Sequence, residues 1–99
     1  MTITKTQNGT DLTLALEGRL DTITAPELEA ELSADLDNVE SLTLDFSKLD
    51  YISSAGLRVL LSAHKRMSGK GGMKVTNVNE IVQEVFEVTG FADILNIVK

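Results

Sequence analysis

The residues of this 99-residue chain best placed to do chemistry are two adjacent serines, Ser53 and Ser54, followed by the small residues Ala55 and Gly56. They stand where a loop meets a predicted helix, and a helix start presents unpaired amides and the positive end of the helix dipole. A hydroxyl there is suited to accept a phosphate, because the added charge of about −1.5 to −2 is welcomed by those amides and barely disturbs the fold. At a tight interface the same dianion must be desolvated. A loss of about 3–4 kcal/mol is a factor of a few hundred in affinity, so such a group switches binding without reshaping the protein. The plain alternative is that Ser53-Ser54 is only an N-cap.

Other chemistries find little to work with. Ser54-x-Gly56 matches half of a nucleophile elbow, but the first glycine of that motif is replaced by Ile52. The one histidine, His64, falls on a helical face with Leu57, Leu60, Leu61 and Met67, which reads as the core boundary. With no cysteine and no second histidine, no metal site is expected. Gly69-Lys70-Gly71-Gly72 misses the spacing of a phosphate loop. The three methionines read as packing. The expectation is a protein with no catalytic residue, cofactor or metal.

These residues need elements to hold them. Thr2 to Gln7 reads as a weak strand, Asn8-Gly9 as a hairpin turn, and Leu12, Leu14 and Leu16 as one face of a second strand. Gly18-Arg19-Leu20-Asp21 leaves that strand. Thr24-Ala25-Pro26-Glu27 then predicts a capping box opening a helix with Ala25, Leu28, Leu32 and Leu36 inward. Leu42, Leu44 and Phe46 alternate as a third strand, Lys48 to Ile52 reads as a loop, and the Ser54 helix ends before Gly69. Met73 and Val75 mark a short strand. Asn79 caps a helix with Ile81, Val82, Val85, Phe86 and Val88 inward, Gly90 stops it, and Asn96 to Lys99 offers a last edge strand.

The order predicts an α/β fold with an N-terminal antiparallel hairpin and parallel strands joined by right-handed crossovers. Strands apolar on one face only place the main helices on one side of the sheet. Loops at strand C-ends gather on one edge, which brings Asp21, Thr22 and Thr24 towards the serine pair. Asp21 either shapes an interface there or caps its own turn; Thr22 and Thr24 are contacts by position.

A chain of this length supports one domain, 1–99, with one core. Its formal net charge of −6, from 9 basic and 15 acidic residues, argues against nucleic acid. The loose basic cluster of Arg58, Lys65, Arg66, Lys70 and Lys74 reads as solvated surface. Cysteine-free composition, no apolar run of about 20 residues and no apolar signal core suggest a soluble cytoplasmic protein that does not insert into membranes.

Tyr51-Ile52-Ser53-Ser54-Ala55-Gly56-Leu57 closely resembles the signature of the anti-sigma factor antagonists, the stand-alone members of the STAS domain family. Gly18-Arg19-Leu20-Asp21 and Val88-Thr89-Gly90-Phe91-Ala92-Asp93-Ile94 are similar to two further stretches of that family, in the same order. The resemblance implies a STAS-like mixed sheet of four to five strands. It implies a bacterial binding protein, a monomer when free, whose serine at position 54 is phosphorylated by its partner. That partner is an anti-sigma factor with a Bergerat-type serine kinase fold, and a metal-dependent serine phosphatase reverses the modification. Partner contacts carried over by position are Asp21, Thr22, Thr24, Ser53, Ser54, Ala55, Gly56 and Arg58. The family commonly has aspartate where this chain has Ser53, which leaves Ser53 as an alternative acceptor. A STAS subunit of another assembly (lipid transport, stressosome-like or chemosensory) without a phospho-cycle is the second reading, and a small hydrolase the third.

Overall fold

The computed structural model describes residues 1–98. Strand β1 (Thr2–Asn8) turns back through Gly9 and Thr10 into β2 (Asp11–Leu20), with Asn8 paired to Asp11 and Gly9 at φ 66°. The turn therefore sits one residue later than Asn8-Gly9 suggested. Helix α1 (Ala25–Asp35) leads to β3 (Ser41–Ile52), α2 (Ser54–Met67) to β4 (Met73–Thr76), and α3 (Glu80–Thr89) to β5 (Asn96–Val98). The expected last strand is present through Val98; Lys99 lies outside the described residues.

The five strands lie side by side in chain order, β1 antiparallel to β2 and every later pair parallel. Right-handed crossovers that always step in the same direction put all their helices on one face. Burial agrees. Leu12, Leu14, Leu16, Leu42, Leu44, Phe46, Met73 and Val75 are buried, whereas their neighbours Thr13, Ala15, Thr43 and Asp45 are half-buried and Lys74 is exposed. Leu28 and Leu32 of α1, Leu57, Val59, Leu60 and Ala63 of α2, and Val82 and Phe86 of α3 close the same core. Phe86 meets Phe46 at the sheet, ring centroids 6.4 Å apart. Each fully buried leucine contributes roughly 1.5–3 kcal/mol relative to an exposed one.

Several local readings of the sequence need correction. The segment from Lys48 to Ile52 is strand, not loop, and β2 likewise continues through Gly18 to Leu20. Both extensions pair with each other across irregularities between Ala15 and Glu17 and between Gly18 and Arg19. Helix α3 buries Val82 and Phe86, half-buries Val85, and leaves Ile81 and Val88 in solvent. The capping box at Thr24 and Glu27 does not form, because the Thr24 side chain makes no cap bond to α1.

Candidate functional site

The extended parts of β2 and β3 end together, Leu20 beside Ile52. Ser53 follows at the N-cap of α2 in extended conformation, and its N–H donates to the Leu20 carbonyl at 2.9 Å. The β2–α1 loop and the start of α2 therefore share one edge of the sheet. The two serines are then distinguished by one residue of helix geometry. Ser54, the first helical residue, is exposed, whereas the Ser53 Oγ is buried and has no hydrogen-bond partner. No acidic residue stands in the first turn of α2, so nothing of its own neutralises the dipole beneath Ser54. Arg58, exposed, stands four residues on and hence above Ser54 on the same helical face.

Small residues let α2 sit this low on the strands. Gly56 is buried, and a Cβ there would lie 2.7 Å from Leu20 Cγ and 2.9 Å from Ile52 Cγ1. Gly56, carried over as a partner contact, is thus packed against the strand ends beneath α2. Ala55 remains half-buried at the surface.

Across the edge, Asp21 organises its own loop. Its Oδ1 accepts from the Ile23 amide at 3.0 Å and the Thr24 amide at 3.1 Å. The Thr24 amide foremost, then that of Ile23, the Thr24 hydroxyl and the Arg19 guanidinium hold its carboxyl below the usual range. Thr24 Oγ1 donates to the Arg19 carbonyl at 2.7 Å and accepts from the Asp21 amide at 2.8 Å, so its hydrogen bonds are spent within the loop. Of the two roles open to Asp21, the structure displays the turn cap. Arg19 stacks 4.5 Å over the Tyr51 ring on the neighbouring strand, with its Nε 3.8 Å from Asp21 Oδ2.

Between α1 and α2 runs a shallow groove of about 270 Å³ that brings together Thr22, Ala55 and Arg58, with Pro26, Glu29 and Ser62 on its walls. Beside it is a residue that sequence reasoning passed over. Ile23 is 84% exposed, in a loop whose backbone is tied down by Asp21. The only signal for it was an apolar residue outside any periodic face.

His64 is kept away from this edge. Ten residues of helix at about 1.5 Å each separate it from Ser54, roughly 15 Å along the axis. It borders a different cavity, of about 380 Å³, with Asp11, Ser41 and Lys74. The one histidine therefore does not stand beside Ser54 as the hydrolase reading requires. Among the described residues no group of three or more histidine and acidic side chains could hold a metal, and no helix is long and apolar enough to cross a membrane.

The sequence profile of the STAS domain matches residues 2–99. BtrV of Bordetella bronchiseptica, described as a candidate anti-sigma factor antagonist, is 42% identical over 85 residues, covering 84% of this chain and 73% of that protein. A crystal structure of an anti-sigma factor antagonist from Mycobacterium paratuberculosis superposes with a TM-score of 0.88 at 22% identity, over 97% of this chain and 83% of its own. The anti-sigma factor antagonist SpoIIAA of Bacillus shares the fold in its unphosphorylated form (TM-score 0.77, 16% identity, 99% of this chain and 88% of that one). Its phosphorylated form does so equally (TM-score 0.76, 17% identity, 99% and 92%). A match over almost the whole length, carried by a fold with Ser54 exposed at the head of α2, establishes that the chain belongs to the STAS domain family, with the anti-sigma factor antagonists as its relatives.

Proposed function

We propose that this chain is a cytoplasmic binding module that captures an anti-sigma factor when Ser54 is unmodified and releases it when Ser54 carries a phosphate. The observation that carries the reading is the contrast between the exposed Ser54 and the buried hydroxyl of Ser53 at a helix start without acidic residues. A kinase can reach the first hydroxyl and not the second, so Ser54 is the acceptor. The partner is an anti-sigma factor, as the names of the relatives suggest, and the resemblance of the switch segment implies that it has a Bergerat-type serine kinase fold. A serine phosphatase resets the cycle.

The binding face is the edge where Thr22, Ala55 and Arg58 line one groove, with the exposed Ile23 and Ser54 as the chain neighbours of Thr22 and Ala55. Phosphate at Ser54 gains the free amides of α2 and the Arg58 guanidinium, so the modified protein stays folded. An apposed partner, however, would have to strip water from that dianion. Affinity falls by about two orders of magnitude while the fold is retained. The likeness of SpoIIAA to this chain in both its phosphorylated and unphosphorylated forms supports a switch that leaves shape unchanged.

Incubation with the cognate kinase and ATP should add one phosphate, and Ser54→Ala should abolish it while Ser53→Ala does not. Phosphate retained in Ser54→Ala would move the acceptor to Ser53. A stable partner complex indifferent to Ser54→Asp would instead favour a STAS subunit of another assembly with no phospho-cycle. That alternative draws on the absence of the family's aspartate at position 53, where a serine precedes Ser54 instead of a carboxylate.

A further inference from the structure

Far from the serine edge in sheet order, β5 closes the sheet and pairs only with β4. Among the described residues, the outer side of Asn96–Val98 therefore offers backbone donors and acceptors that no other strand uses. Beside it, α3 walls a groove of about 490 Å³ whose apolar lining is Val78, Ile97 and Val98. The wall is acidic. Glu80, Glu84 and Glu87 all line it, and among the described residues no lysine or arginine lines the groove or pairs with any of the three.

The spacing of these carboxylates selects an occupant. Along a helix rising about 1.5 Å per residue they stand roughly 6 and 4.5 Å apart. Side chains on one face of an extended strand recur about every 6.7 Å. A strand laid along β5 thus brings alternate side chains to the α3 side, near the carboxylates and Ile97, and turns the intervening ones to the opposite face of the sheet, beside Asn96 and Val98. We propose that this groove docks an extended, cationic segment of a partner protein by strand addition to β5, with lysine or arginine at alternate positions facing Glu80, Glu84 and Glu87. Backbone pairing supplies the affinity and the carboxylate row the selectivity. The site is separate from Ser54 and does not depend on its modification.

The test uses the full chain, labelled with nitrogen-15, and a capped peptide of about seven residues alternating lysine and valine. Expected are amide shifts at Ile97 and Val98 and along α3. Affinity should fall about tenfold in the double variant Glu84→Lys/Glu87→Lys, and by a similar factor at high salt. Glu84→Gln/Glu87→Gln should give an intermediate loss, while Ser54→Asp binds the peptide as the parent does. Three results would each overturn the proposal. They are no shift in β5 at millimolar peptide, equal binding of a glutamate–valine peptide or of a backbone-methylated lysine–valine one, and shifts at Ile97 and Val98 that grow with protein concentration alone, which would make the edge a contact between copies of this chain.

Discussion

Gly56 and Leu20 are in contact range across the base of α2: a Cβ on Gly56 would lie 2.7 Å from Leu20 Cγ and 3.0 Å from its Cδ2. Leu20 ends β2 and is fully buried, and Cγ is a branch point rather than a mobile tip. Gly56→Ala gains about 1 kcal/mol of helix propensity. It also forces overpacking that costs about 1–3 kcal/mol, so urea unfolding should show no net gain and a destabilisation of up to about 2 kcal/mol. Leu20→Ala, costly in the parent, should cost less in the Gly56→Ala background. A double-mutant cycle without that coupling would refute the contact.

Two helix caps in this fold are predicted to respond in opposite ways. Asn79 Oδ1 accepts from the Val82 amide at 2.8 Å, and its Nδ2 donates to the Leu49 carbonyl at 2.7 Å, joining α3 to β3. Asn79→Ala should cost about 1–2 kcal/mol. Ser53 occupies the cap of α2 but makes no cap bond, and its Oγ is buried without a partner. Ser53→Ala removes a hydroxyl that satisfies nothing, so stability should stay within about 0.5 kcal/mol of the parent or rise slightly. Thermal melts of both variants decide the matter.

These caps also mark how far the residues alone could be read. The strand and helix order, the one-sided sheet and the Asn79 and Gly90 helix ends followed from periodicity and cap chemistry, since both are local. The ends of β2 and β3 did not. The burial alternation of β3 slips at Ser47 and Lys48, where its register against β2 shifts, and a slipped strand looks like a loop when only one chain segment is read; β2 keeps its alternation, but Gly18 supplies no apolar side chain to show it. Thr24 was misread for a related reason. The capping-box spacing is present, but the Arg19 carbonyl and the Asp21 amide take up its hydroxyl first. At the site, Ser54, Thr22, Ala55 and Arg58 were legible as surface positions. That Gly56 is packed, that the Ser53 hydroxyl is buried and that Ile23 protrudes all depend on how α1 and α2 lie on the strands.

Asp21 should titrate below its ordinary value of 3.8, because two loop amides, helped by Arg19, favour its ionised form. The folded value is depressed, so the carboxylate's contribution to stability is fully present above 3.8 and is lost as pH falls through the folded value. Carbon-13 NMR of the carboxyl group should give the lower midpoint directly. In Asp21→Asn the loop loses this acid-dependent contribution, and its stability should change less between neutral pH and pH 3 than that of the parent. A parent midpoint at or above 3.8 would sink the assignment.

Ile23 is the residue whose exposure the fold does not require. Its amide is held by Asp21 Oδ1 at 3.0 Å, so the loop fixes where the side chain emerges, yet the side chain itself is 84% exposed. Removing it should barely alter folding: Ile23→Ala is expected within about 0.5 kcal/mol of the parent in unfolding. Against the proposed partner the same change should be large, because a rigidly presented apolar side chain on the β2–α1 loop can fill a pocket on association. A truncated interface anchor typically costs about 1–3 kcal/mol, roughly ten- to a hundredfold in Kd. Arg58→Ala on the far side of the groove, a solvated rim charge, should change affinity less and the association rate more. Calorimetry and stopped-flow binding of the two variants separate these effects. Equal, small losses for both would place the contact face away from the β2–α1 loop, whatever the fate of Ser54.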